Sequence, residues 1–134
     1  MGSIIFRDAC AEFTFVKYGY YERNAKRQYV LLFEVKNTSG RDIMPLVYRL
    51  KTDDIALGED FMMVVADAAD FLGDIKAGET KKSMANVNNF TNAELNLDAV
   101  KEFEIQVGYC LKDEDGTYHY GSEEVHSDPI KLYL

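Results

Sequence analysis

The chain has no tryptophan, two prolines, two cysteines, two histidines and no long apolar run. The missing tryptophan counts against a dedicated carbohydrate site, where a large flat ring is the usual platform. Two cysteines cannot make a disulfide scaffold, and 134 residues do not need one. A domain of that size buries roughly two-thirds of its unfolded surface and stands on its own core. The longest uninterrupted apolar stretch, Phe61–Ala66, falls far short of the ~20 residues that span a bilayer as a helix, so no membrane insertion is expected. Cations are also scarce. Fifteen Lys and Arg against 23 Asp and Glu give a net charge of −8, which opposes the counterion release that drives nucleic-acid binding and disfavours anionic membrane surfaces. Met1-Gly2-Ser3 carries neither the basic segment nor the apolar stretch of a secretory signal. It reads equally as a native start or as a junction left where a signal or anchor was removed.

What is present is tyrosine and phenylalanine, which supply the whole aromatic share of 13% and favour strands. Tyr29, Leu31, Phe33 and Val35 alternate with other residues. The polar run Asn37-Thr38-Ser39-Gly40-Arg41-Asp42 follows, and Ile43 to Leu50 returns as a further strand. Period-two alternation ended by turn formers is a hairpin signature. Pro45 near the start of the returning strand argues for an edge or a bulge. Upstream, Ala9, Ala11, Phe13 and Phe15 alternate with Cys10, Glu12, Thr14 and Val16 as a first strand. This runs into the cluster Tyr18, Tyr20 and Tyr21 around Gly19, then a charged loop from Glu22 to Arg27.

The middle of the chain predicts a strand over Phe61–Val65, a turn over Ile75–Thr80 and a polar strand from Lys82 to Asn88. Thr91 and Glu94 have the spacing of a capping box, which predicts a short helix near 92–100. The longest clean alternation follows, with Phe103, Ile105, Val107, Tyr109 and Leu111 on one face. Asp113-Glu114-Asp115-Gly116 then closes a hairpin, Thr117–Tyr120 runs back, and Ile130, Leu132 and Leu134 form a last strand after Pro129.

About seven short strands, one short helix, no repeat and no linker predict a single all-β domain over residues 1–134. Its expected form is a two-sheet antiparallel immunoglobulin-like sandwich. The stretches Phe15-Val16-Lys17-Tyr18-Gly19-Tyr20, Val30 to Ser39, Ala77-Gly78-Glu79-Thr80-Lys81 and Phe103-Glu104-Ile105 resemble the small immunoglobulin-like domains of secreted proteins and lipoproteins of Gram-positive bacteria. Many of these are domains of unknown function. The resemblance covers most of the chain through strand and turn chemistry. It implies a non-catalytic, extracellular or cell-envelope domain and supplies no active residues.

Candidate chemistry is sparse. His119 and His126 lack the spacing of a metal-ligand pair, and His119 alternates with Tyr118 and Tyr120 as a strand residue would. Cys110 precedes the turn that brings 117–120 alongside it, so a Cys–His nucleophile is conceivable, but nothing supplies an orienting acid or an oxyanion hole. An oxidising compartment would allow Cys10 and Cys110 to pair, but each falls between apolar neighbours on the less apolar side of its strand and a domain of this size does not need the bridge, so their pairing is left open. Among the acidic clusters, Asp113 and Asp115 come nearest to a Ca²⁺ loop without matching its spaced pattern, and a solvated turn explains them as well. No cofactor is implied. Tyr18, Tyr20, Tyr21, Tyr118 and Tyr120 are the candidate ligand-binding residues, since an exposed phenol gives contact area at low entropic cost.

The sequence is therefore read as a binding or structural module of the bacterial cell envelope with a protein or glycan partner at the cell surface. Two other readings stand beside it. One is a small hydrolase using Cys110 or paired carboxylates; the other is a cytosolic or phage-encoded sandwich that oligomerises through a sheet edge.

Overall fold

The computed structural model describes residues 2–52, 55–62, 64–65, 74–87, 99–119 and 124–134. Ten strands make up nearly all of its regular structure. They are β1 (Ser3–Arg7), β2 (Ala11–Arg23), β3 (Lys26–Asn37), β4 (Ile43–Thr52), β5 (Ile55–Met62), β6 (Val64–Val65), β7 (Thr80–Asn86), β8 (Glu102–Leu111), β9 (Glu124–His126) and β10 (Ile130–Tyr133). One sheet has the order β1-β2-β3-β7-β6. The other has the order β10-β8-β4-β5, with β9 also paired to β8. All pairings are antiparallel.

The all-β, two-sheet antiparallel sandwich is thus as expected, and its connections follow the immunoglobulin-like pattern. The β2–β3 hairpin stays within one sheet, β4 crosses to the other, β6 and β7 return, and β8 crosses again. The predicted helix near 92–100 lies outside the described residues except for Ala99 and Val100.

The alternating faces decide the core. Tyr29, Leu31, Phe33 and Val35 of β3 meet Phe103, Ile105, Val107 and Tyr109 of β8 in one buried cluster, closed by Phe13, Val47, Leu50, Ala85 and Leu132. Each large side chain removed from water contributes about 1.5–3 kcal/mol. Val87 and Ile75 complete the cluster from outside the strands.

Several expectations change in detail, each for a local reason. The charged loop over Glu22–Arg27 is instead a continuation of β2 and β3 around a two-residue turn. Asn24 and Ala25 both take positive φ, 53° and 62°, as a type I′ hairpin requires. The apolar run Phe61–Val65 is not one strand: Phe61 and Met62 pair with β4, whereas Val64 and Val65 pair with β7 in the other sheet. Residues 117–119 make only an isolated bridge, Lys112 to Tyr118, and the strand that lines this part of β8 is β9. Tyr120 lies outside the described residues. Gly108 permits that pairing, because a Cβ there would sit 2.1 Å from the Val125 carbonyl oxygen.

The last strand is in two pieces. Pro129 cannot donate to the ladder, and Ser127 repairs it: its N–H donates to the Val107 carbonyl at 2.8 Å and its Oγ accepts from the Val107 N–H at 3.1 Å.

Pro45 sits on a central strand, not an edge strand. The described β4–β5 pairs begin one residue later, at Leu46 with Met62, while on the other side Pro45 is opposite Tyr109 of β8. A bulge follows, as one reading of Pro45 anticipated, but at Tyr48, between the pairs Val47–Val107 and Arg49–Gln106. A second bulge at Val16 shifts the phase of β2, since Phe15 opposes Phe33 and Lys17 opposes Leu32.

Two polar side chains tie the sheets together at one end. Asn37 is fully buried. Its Nδ2 donates to the carbonyls of Arg41 and Ile75, and its Oδ1 accepts from the Ser39 N–H and hydroxyl, so the β3–β4 and β6–β7 connections are pinned to each other. Asp8 organises the β1–β2 turn by accepting the N–H groups of Cys10 and Ala11 at 2.8 and 2.9 Å. Its other carboxylate oxygen accepts the Tyr109 hydroxyl at 2.5 Å from the opposite sheet. Cys10 and Cys110 form no disulfide. Cys10 lies on the Tyr109 hydroxyl, which faces the core, and Cys110 as the next residue on β8 points to the opposite face.

Candidate functional site

The tyrosines proposed from the sequence fall at two ends of the sandwich. The β2–β3 hairpin reaches past β7, whose last pair is Asn86 with Val30, and the overhang carries Tyr20 and Tyr21 opposite Tyr29 and Gln28. The bulge at Val16 puts Tyr18 and Tyr20 on the face of β2 that they share with Leu31 and Tyr29 of β3. Tyr18 uses its position to stack on Tyr29 and to meet Phe103 edge-on at 5.5 Å, which makes it largely a packing residue. Tyr20 leans on Tyr29 from the other side but keeps 53% of its surface in solvent. The Arg27 guanidinium lies 4.4 Å from the centre of its ring, a cation–π contact that restrains the phenol without covering it. Tyr21, on the opposite face, is 38% exposed, and its hydroxyl accepts from Asn86 Nδ2 at 3.3 Å.

Tyr118 belongs to the other end. It is half-buried and bridges Lys112, whose ammonium lies 5.9 Å from its ring centre. Phe103, which Tyr18 touches, and Lys112 stand at opposite ends of β8, about 30 Å apart at the rise of an extended strand. The four described tyrosines therefore do not make one platform, and Tyr120 lies outside the described residues. Tyr18, Tyr20 and Tyr21 share an end, and Tyr118 is remote from them.

The end with Tyr118 is a knot of charged loops. Asp42 receives the Ala77 N–H at 3.3 Å and lies 3.2 Å from the Lys76 ammonium and 3.8 Å from that of Lys112. Burial alone would raise its carboxyl. The Lys76 and Ala77 hydrogen bonds and the two ammoniums outweigh that and hold it below the usual range. Arg41 Nε donates to the Lys112 carbonyl at 2.6 Å.

Beyond this knot the turn at residues 113–117 closes through the Asp113 N–H to the Thr117 carbonyl, with Gly116 at φ +85°. Asp113 Oδ1 accepts the N–H groups of Asp115 and Thr117, and Asp115 Oδ1 also accepts from Thr117. His119 Nε2 meets Asp113 Oδ2 in a short contact. Asp115, the Thr117 N–H and His119 together hold the Asp113 carboxyl well below its ordinary value against a smaller opposing effect of burial. The sequence had placed Asp113 and Asp115 together and had set His119 aside; the Lys112–Tyr118 bridge is what brings the imidazole over.

A further group was not anticipated. The bulged Tyr48 stacks flat on His126 at 3.7 Å, His126 Nε2 pairs with Glu124 at 2.9 Å, and the Arg49 guanidinium lies 4.9 Å from the Tyr48 ring centre. Nothing in the alternation of residues 43–50 signals it except the bulge that Pro45 suggested. Both histidines are thus engaged with carboxylates, and Cys110 is fully buried with its Sγ near the Leu111 carbonyl.

The class that the fold defines is an all-β two-sheet sandwich. No protein-family model matches the chain, and no curated protein matches it. A solved structure described as the X-ray structure of Northeast Structural Genomics Consortium target SoR45 is similar over 92% of this chain and 85% of that chain, with 9% identity and a TM-score of 0.39. No helix among the described residues is long and apolar enough to cross a membrane.

Proposed function

We propose that this chain is a non-catalytic binding module of the bacterial cell envelope, with a protein or glycan partner at the cell surface. The observation that carries the reading is Tyr20. An aromatic side chain more than half exposed, braced by Tyr29 and Arg27 on an overhanging hairpin, has the character of a binding anchor that gives up little rotamer freedom on contact. The neighbouring Tyr21, Lys26 and Arg27 are exposed and, with the exposed Glu22 opposite Arg27, leave the described part of this tip aromatic and slightly basic on an acidic chain. That combination suits a partner rich in carboxylate, phosphate or hydroxyl groups.

The envelope assignment rests on the resemblance to immunoglobulin-like domains of Gram-positive secreted proteins and lipoproteins. The hydrolase reading through Cys110 has less support, since Cys110 is fully buried. Assembly through the strand carrying Pro45 has less support as well, since β4 is a central strand.

The test is saturation binding of the fluorescently labelled chain to intact Gram-positive cells and to their isolated walls. Changing Tyr20 and Tyr21 to Ala together should weaken binding by at least about tenfold, the effect of an anchor worth 1.4 kcal/mol or more, while the unfolding midpoint stays close to that of the parent. Equal binding by the double variant, or no saturable binding by the parent, would sink the proposal.

A further inference from the structure

The turn after β8 gathers donors of two chemical kinds. Asp113 and Asp115 offer carboxylates and His119 offers an imidazole, and their ligand atoms all lie within 4.8 Å of one another. We propose that Asp113, Asp115 and His119 bind one divalent first-row transition-metal cation, best matched by Zn²⁺, with water or a partner's side chain completing its coordination.

The arrangement around the turn supports this in three ways. First, the two carboxylates are held from behind. Asp113 Oδ1 and Asp115 Oδ1 accept backbone N–H groups at 3.0–3.1 Å, which leaves Asp113 Oδ2 turned towards His119 Nε2, its present partner, whose place a cation between them would take. Secondly, the imidazole comes from the far arm of the turn, carried there by the Lys112–Tyr118 bridge, so donors from both arms come within 4.8 Å of one another. Thirdly, the donor set selects the metal. Ca²⁺ takes six to eight oxygens, and this turn offers one imidazole nitrogen and the second oxygens of two carboxylates, that of Asp113 now facing the imidazole. Two carboxylates and one imidazole with open positions suit Zn²⁺ and its neighbours.

Donors held about 2.0–2.1 Å from a tetrahedral metal stand about 3.3 Å apart. Binding therefore requires His119 and Asp113 to part slightly and Asp115 to swing inward. Asp115 is exposed and Gly116 follows it, so that movement meets little resistance. The site lies at the end of the sandwich remote from Tyr20 and does not depend on the binding surface proposed there.

The experiment is a Zn²⁺ titration of the untagged chain, followed by calorimetry and by the imidazole resonances in NMR. His119 and His126 are the chain's two histidines, so His126 is an internal control. The expected result is saturable uptake of one Zn²⁺, movement of the His119 resonances with those of His126 unchanged, and no response to Ca²⁺. His119→Ala and, separately, Asp115→Asn should each weaken uptake by at least about tenfold; Asn keeps the oxygen that the Thr117 N–H needs. Still His119 resonances at saturating Zn²⁺ in the parent chain would overturn the proposal, whatever the variants do. So would uptake that survives His119→Ala, or uptake abolished by Cys10→Ser.

Discussion

Replacing Tyr109 by Phe removes one oxygen atom from a position where it joins the two sheets. Tyr109 is 2% exposed, and its hydroxyl donates to Asp8 Oδ2 at 2.5 Å, while Asp8 Oδ1 keeps its two backbone donors. A hydrogen bond to a charged group contributes about 1.5–3 kcal/mol. Asp8 is partly solvated and can recover water, which points to the lower half of that range, about 2 kcal/mol. Unfolding entropy near 2.1 cal/mol/K per residue over 134 residues makes about 0.28 kcal/mol/K, so the midpoint should fall by about 7 °C. Asp8→Ala should cost more, because it also strands the Cys10 and Ala11 N–H groups and leaves a buried phenol without its acceptor. Urea unfolding of parent, both single variants and the double variant closes a thermodynamic cycle, and the coupling between the two positions should be about 1.5–2 kcal/mol. A Tyr109→Phe change within 0.5 kcal/mol of the parent, or a coupling near zero, would refute the view that this bond holds the β1–β2 turn to the second sheet.

Two further outcomes are expected. Burial first, then the Asp8 carboxylate and Cys10, push the Tyr109 phenol above its ordinary titration range. The folded state therefore keeps a proton that the unfolded chain loses near pH 10. This contribution is fully present below that pH and declines above it by up to about 1.4 kcal/mol per pH unit; stability measured from pH 9 to 11 should fall less steeply in Tyr109→Phe, and identical slopes would contradict the assignment. Ala25 occupies φ 62° in a turn that favours glycine, so Ala25→Gly should stabilise the chain by roughly 0.5–1 kcal/mol through relief of left-handed strain. A lowered urea midpoint would count against the type I′ geometry.

The strands that could be read directly from the sequence are those whose inner face never changes phase. Tyr29 to Val35 and Phe103 to Tyr109 keep strict alternation because each strand runs through the middle of its sheet with one side on the core. Legibility fails where the backbone inserts or omits a residue. Val16 and Tyr48 are the extra residues of bulges, and each inverts the meaning of the alternation beyond it. Tyr18 consequently packs inward, and Tyr48 can lie flat on His126. The split of Phe61–Val65 between sheets is illegible for a different reason. Residues on both sides of the crossover are apolar, so period and hydropathy do not change where the partner strand does.

The same reasoning explains which parts of the two candidate sites were visible. Asp113-Glu114-Asp115-Gly116 announced a turn because a glycine at φ +85° and side chains that accept backbone N–H groups are local requirements. His119 joins it only through the Lys112–Tyr118 bridge, and a bridge depends on how far the chain travels before it turns back. Tyr20 was visible as a tyrosine, but its exposure beside a buried Tyr29 depends on what the rest of the fold covers, which no local pattern encodes. The two ends are separated by the length of β8, about 30 Å, and have no shared loop among the described residues. Substitutions confined to one end should therefore leave the other end's chemistry and the core between them unchanged. That separation allows the aromatic tip and the carboxylate–imidazole turn to be tested as independent sites.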